Sequence, residues 1–472
     1  MKKDINITDM AVSFVETFQY EDIPQEALET ARRCIVDTVG LYIAGTSEDV
    51  VKILAREALD EGGNPEALLL MGGGRKVPGS KAARVMGTAG HAHDWDDTQV
   101  SHDPDHHYGL LTHPSVPPLT GALVAAQAEG VTSGRAIMTA FLAGFEVETK
   151  VSEWMQADHY LRGHHSSGTV GTLGACVAAA KIMGLKGDSL RHAIGMAASF
   201  AAGIRCNFGT MTKPLHVGRA AENGVTAARL AARGVTADPT ALDGRWGLPT
   251  VMSGGVSADK AAAGFANPLS IVSPGVSIKP YPSGIVTHQS MDALLELVKE
   301  HDVDPAKVTS IDFFAGSNIL NPIRYAVAKN HLQAKFSMAA LLSMIVLYRQ
   351  AGRQQFTDEV VAGDAMQDMQ ARVHTHLDRH IESIGFDKIR SRIELTLEDG
   401  QVLVKEADDR YRGGPAKPMS DDDLADKFRA CTAGLIDPST QAAILAQTQR
   451  IDESEDVSAL LSEVMGSVSS VA

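Results

Sequence analysis

The ten residues Gly90–Gln99, GHAHDWDDTQ, gather two histidines, three aspartates, a tryptophan and a threonine directly behind the Ala-rich run SKAARVMGTA. If one helix runs on from Ser80, Asp94 and Thr98 share a face at a spacing of four, and Asp94 and Asp97 at a spacing of three. A carboxylate and a hydroxyl aimed at one spot suit a substrate-orienting pair. His91, His93 and Asp94 are also metal-ligand types. Positions i and i+2 splay on a helix, however, so no metal is assigned to them. A metal-dependent hydrolase built on these histidines stays only as a remote alternative.

Four further segments carry chemistry-bearing groups. SHDPDHHYGLLTHPSVPP holds His102, His106, His107 and His113 in an irregular stretch that reads as a loop over a cleft. His113 is its candidate, because the His-Pro-Ser turn fixes the direction of the ring. In RGHHSSGTVGTLGA, Ser166 or Ser167 is expected to cap a helix whose free N–H groups face His164 and His165. A helix N-terminus attracts an anion and lowers a nearby imidazole's pKa, which suits a general base. The glycine spacing there follows no strand, so it is not a dinucleotide fingerprint. In NFGTMTKPLHVGRAAENG, Lys213 precedes a proline and is expected to be extended, a rigid lysine for binding a carboxylate, with His216 and Arg219 adding charge. KPYPSGIVTHQSMDALLELV sets Lys279, Tyr281, Ser283 and His288 on a Pro-stiffened crossover, and clefts between domains commonly bind small molecules.

These groups need a scaffold, and the rest of the chain describes one. At 472 residues it exceeds one simple core. Up to about residue 270 the pattern is helical. PQEALETARRCIVDTVGLYIAG repeats apolar residues at Ala27, Ala31, Ile35 and Val39, and several later segments are apolar nearly all round. Then KVTSIDFFAG reads as a strand, and SRIELTLEDGQVLVKEA alternates at Ile393, Leu395 and Leu397, turns at Asp399-Gly400 and continues through Val402 and Val404. MSDDDLADKFRACTAGLI returns to helix. The expected fold is therefore mainly α. Residues 1–275 and 415–472 form a discontinuous all-helical domain, and an α+β lid domain over 276–414 is inserted in it. The tail EVMGSVSSVA is expected to fray. The net charge of −15 argues against nucleic acid and anionic membranes as partners. Four scattered cysteines, no leader-like start and no apolar run of membrane-spanning length point to a reduced cytoplasmic protein.

Taken in order, HAHDWDDT, THPS, GHHSSGTVGTLGA, GTMTKPLHVGRAAENGV and KPYPSGIVTHQSMDA resemble the MmgE/PrpD family over nearly the whole chain. That family holds 2-methylcitrate dehydratase, cis-aconitate decarboxylase and an iminodisuccinate epimerase. The resemblance implies a large helical domain with an inserted α+β lid, usually in a homodimer. It also implies a pocket lined by Asp94, Thr98, His113, His165, Lys213 and His288. Two departures bear on substrate. Dehydratases often carry cysteines, and the decarboxylase a histidine, where this chain has Ser283-Gly284; the segment from Thr98 to His113 is also longer. The activity implied is a cofactor-independent lyase on a small di- or tricarboxylate, with an epimerase or isomerase as the alternative. In it Lys213 and His288 clamp the carboxylate, with Tyr281 and Ser283 beside them. His113 or His165 is the acid or base, and Asp94 and Thr98 orient.

Overall fold

The computed structural model describes residues 6–100, 111–155, 157–386, 388–408 and 410–471. The first half is helical: α1 (Gln25–Gly45), α2 (Gly79–His91), α3 (Val116–Glu129), α4 (Gly134–Trp154), α5 (Ser166–Ile182), α6 (Gly187–Phe200) and α7 (Thr212–Ala232). Helices α3 and α5 are buried on nearly every face, as their unbroken small and apolar composition demands.

Glycine and alanine set how close these helices lie. A Cβ on Gly87 of α2 would meet Ala221 Cβ and Gly218 Cα at 3.1 Å; one on Gly218 would stand 2.0 Å from Thr88 Oγ1 and 2.4 Å from the Arg84 carbonyl. The pair is antiparallel, with residue 87 level with 218. One turn further along α2 comes His91, and one turn back along α7 comes the stretch holding Lys213. Backbone contact between two glycines thus brings an imidazole and an ammonium together.

The second half contains a four-stranded sheet of β1 (Val308–Ala315), β2 (Val373–Leu377), β3 (Ser391–Leu397) and β4 (Val402–Ala407), in the order β2-β1-β3-β4. Strands β1 and β2 are parallel; the other two pairings are antiparallel. Helices α8 (His288–Glu300) and α9 (Met338–Tyr348) pack on the sheet. The strand and hairpin read from sequence are present, with one correction. Leu403, not Val402 or Val404, faces inward on β4, because Leu403 lies opposite buried Leu395 and directly opposed residues share a face.

After the sheet, α10 (Asp421–Thr432) returns to pack on α1, where Lys427 pairs with Asp37 at 2.5 Å and Phe428 covers Gly40. The tail is tied down rather than frayed, since Val471 donates its N–H to the Met71 carbonyl at 3.0 Å and Met465 is buried. Among the described residues no helix is long and apolar enough to cross a membrane.

Candidate active site

Helix α2 stops at His91, so the acidic stretch is not helical. Asp94 takes a left-handed φ of 52° and Thr98 forms an extended bridge to Ser277, with N–H to carbonyl bonds of 2.9 Å both ways. The expectation of one helical face for Asp94, Asp97 and Thr98 is therefore corrected. Irregular backbone instead aims successive residues at separate partners. Asp97 accepts from Ser115, Asp96 faces two imidazoles, Trp95 packs on Leu41, Ala44 and Cys431, and Asp94 faces two lysines. His93 turns away to the Ala44 carbonyl and Glu48, which splits it from His91.

The bridge between Thr98 and Ser277 carries the crossover segment to the acidic stretch. Lys279, two residues on, then donates to Asp94 Oδ1 at 2.7 Å and to the Asp94 carbonyl at 3.0 Å. Lys213 reaches the same Oδ1 at 3.1 Å and donates to His91 Nε2 at 2.7 Å. It lies in the first turn of α7, not in the extended lead expected from Pro214, because proline is tolerated in the opening turn of a helix. Gln99 donates its N–H to the Thr112 carbonyl at 2.8 Å, which sets His113 beside Thr98. The His113 N–H donates to Ser167 Oγ at 2.9 Å. His102, His106 and His107 lie outside the described residues.

His165 is the N-cap residue of α5. Ser166 and Ser167 lie inside the helix and do not cap it. The His165 ring meets His216, Nδ1 to Nδ1, at 3.0 Å, and its Nε2 is buried with no hydrogen-bond partner among the described residues. Asp94, Thr98, His113, His165, Lys213 and Lys279 line one small cavity, whose other wall includes Leu111, Tyr160, Phe208, Gly284, Ile285, Val286, Ile323 and Phe336. The cavity is two-faced, charged on one side and apolar on the other.

His288, Tyr281 and Ser283 are not among the lining residues. The Tyr281 hydroxyl donates to Asp292 at 2.7 Å, and Ser283 Oγ bonds His288 Nε2 at 3.2 Å behind the wall. Expected as substrate contacts, these three stand one layer back from the lining, and His288 Nδ1 is buried with no hydrogen-bond partner among the described residues. Sequence reasoning missed Asp96 and the aromatic wall. Lys279 was visible in KPYP, whereas nothing in the local pattern marks Phe208 or Phe336.

Electrostatics follow from burial. The ammonium groups of Lys213 and Lys279 outweigh burial at Asp94 and hold its carboxyl well below the usual range. His113 and His91 outweigh it likewise at Asp96. Burial pushes Lys213 down to about 8 against the pull of Asp94. It also pushes His91 down to about 3, and lowers His113 and, further, His165. The cavity therefore presents neutral imidazoles next to ammonium groups. Donor atoms of His91, Asp94, Asp96 and His113 come within 4.8 Å of one another, but the two lysines already set positive charge against them.

Residues 9–261 match the MmgE/PrpD N-terminal domain, and residues 281–453 match the MmgE/PrpD C-terminal domain. This chain belongs to the MmgE/PrpD family. Among curated relatives it is 25% identical to human cis-aconitate decarboxylase, over 98% of this chain and 95% of the relative. The mouse cis-aconitate decarboxylase is also 25% identical, over 96% and 92%. One from Aspergillus terreus is 22% identical, over 96% and 95%.

Proposed function

We propose that this protein is a cofactor-independent lyase that removes carbon dioxide or water from a small di- or tricarboxylic acid. One observation carries the reading: Lys213 and Lys279 converge on Asp94 in a cavity that also holds His113 and His165. Its relatives named cis-aconitate decarboxylase support the same class.

The chemistry follows from carbon acidity. Breaking a C–H or C–COO⁻ bond beside a carboxylate leaves an electron pair that spreads onto the remaining carboxylate oxygens. Fixed ammonium groups stabilise that charge where it grows, and dry surroundings strengthen the effect. In decarboxylation the C–C pair passes to the carbon skeleton, carbon dioxide leaves, and a protonated imidazole returns a proton to carbon. In dehydration a neutral imidazole takes the proton and the hydroxyl leaves as water after protonation. His113 and His165, with ring centres 6.5 Å apart, serve as acid and base; Lys213 and Lys279 bind the carboxylate; Asp94 and Thr98 orient. Tyr281, Ser283 and His288 support the crossover instead of touching substrate.

The same spacing favours an epimerase as the second reading, because two imidazoles on separate elements can address two faces of one carbon. On the lyase reading, residues 1–275 and 415–472 form the helical domain and 276–414 the lid. The return of α10 onto α1 supports that division. A cytoplasmic homodimer completes the proposal.

A panel of unsaturated and hydroxylated polycarboxylates, followed by NMR in deuterated water, tests it. Loss of carbon dioxide or water is expected. Deuterium exchange alone would make the protein an epimerase, and no reaction with any member would sink the lyase. His113→Gln and His165→Gln should each lower kcat by at least about 100-fold.

A further inference from the structure

We propose that Asp96 is the positioning residue of this site. Its one carboxylate takes the Nδ1–H of both His91 and His113 and leaves both Nε2 atoms bare. The proposal rests on the lyase reading only for its effect on turnover.

The geometry fixes the His91 proton from two ends. Asp96 is fully buried, and both its oxygens lie 2.9 Å from His91 Nδ1. Its Oδ2 is also 3.2 Å from His113 Nδ1. An ionised carboxylate can only accept hydrogen bonds, so both Nδ1 atoms must donate. On the far side of His91 stands the Lys213 ammonium, 2.7 Å from Nε2. An ammonium can only donate, so His91 Nε2 must accept. The two neighbours, deduced independently, demand the same tautomer. His113 is constrained from one end only: Asp96 Oδ2 and Thr98 Oγ1, 3.3 Å away, both face its Nδ1, while its Nε2, 3.7 Å from Asp94 Oδ1 and beyond hydrogen-bond range, is left as the free base.

Asp96 therefore does for two rings what the buried aspartate of a hydrolytic triad does for one: it selects the tautomer and stabilises the imidazolium when it forms. His91 becomes the acceptor that holds Lys213 in place, and His113 the base aimed into the cavity. An amide at position 96 cannot serve both. Its oxygen accepts from one ring, while its NH₂ donates toward the other Nδ1 and drives that ring's proton to Nε2.

The test uses full-length protein carrying ¹⁵N-histidine. Long-range ¹H–¹⁵N spectra distinguish Nδ1–H from Nε2–H rings, and His91→Gln and His113→Gln assign the two signals by their loss. Both rings are expected as Nδ1–H with bare Nε2. In Asp96→Asn at least one should change to Nε2–H, with kcat down at least about 100-fold and KM moved less than about threefold. An Nε2–H ring at either position in the parent protein overturns the proposal, as does Asp96→Asn with unchanged tautomers. If Asp96→Asn does not fold, the parent spectrum decides alone. Absence of turnover in the parent counts against the lyase and leaves the tautomer result standing.

Discussion

Adding a single methyl group at Gly218, outside the cavity lining, should disable the site. In Gly218→Ala the new Cβ would stand 2.4 Å from the Arg84 carbonyl, against an ordinary contact of at least 3.4 Å. A helix carbonyl cannot rotate aside, so α2 and α7 must part by roughly 1 Å. Overpacking of this kind costs about 1–3 kcal/mol of stability. The catalytic cost is larger in proportion. One turn away, the 2.7 Å bond from Lys213 to His91 stretches beyond hydrogen-bond range, and a misplacement of about 1 Å costs about 100-fold in rate. Thr88→Ala added to Gly218→Ala removes the hydroxyl that would lie 2.0 Å from the new Cβ but not the carbonyl, so it should restore only part. Gly466→Ala, a helical glycine with open space around it, is the control. The measurements are kcat on whichever acid the NMR panel identifies, and the thermal midpoint. A folded Gly218→Ala protein with the parent's kcat and midpoint would refute the argument that close helix contact sets the site.

Three other outcomes are expected. Lys213→Met should lower kcat at least about 100-fold, because Lys279, already shared with Asp94, is then the one ammonium left to hold the developing carboxylate charge; near-parent turnover would remove Lys213 from the chemistry. Burial, with the charge of Asp97, raises the Glu148 carboxyl well above 4.5, so its contribution is full below that pH and is lost as pH rises through the folded value. Glu148→Gln should accordingly gain thermal midpoint over the parent between pH 5 and pH 8, and a gap independent of pH would contradict this. Burial would lower the His331 pKa, but its bond to Glu48 raises it. Its contribution is present below about 6.5 and fades as pH rises through the raised value, so His331→Gln should cost more at pH 6 than at pH 9 in denaturant melts.

Helix periodicity made the scaffold readable, since buried helices such as α5 need small and apolar residues on all sides. The hairpin was readable because Asp399-Gly400 is a turn with a mechanism. Chemistry-bearing types at Asp94, Thr98, His113, His165 and Lys213 all reach the cavity. Asp96 escaped notice because three neighbouring acids look alike until the backbone turns each one elsewhere, and that turning depends on partners far along the chain. His288, expected as a carboxylate clamp, is not on the cavity lining. It opens a helix at the crossover, yet its ring bonds back to Ser283 on its own segment. Lys279 was legible only as a polar group on the crossover, because its reach to Asp94 follows from one bridge, Thr98 to Ser277, that joins residues too far apart in sequence for any local pattern to announce.

Charge balance explains why these groups are arranged as they are. Two ammonium groups face two carboxylates, and burial keeps the imidazoles neutral, so the cluster carries no net charge before an anion arrives. Burying an unpaired charge costs several kcal/mol, so a fully charged empty site would oppose folding. On the lyase reading a substrate carboxylate must share the lysines with Asp94, whose Oδ2 is buried without a hydrogen-bond partner among the described residues. Its extra negative charge is then best met by a proton on an imidazole that Asp96 already supports. On the lyase reading the bound anion makes a ring easier to protonate, so one imidazole can serve as the acid while the other stays the neutral base. The binding of the anion, more than the pH of the solution, thus decides which direction the proton can move.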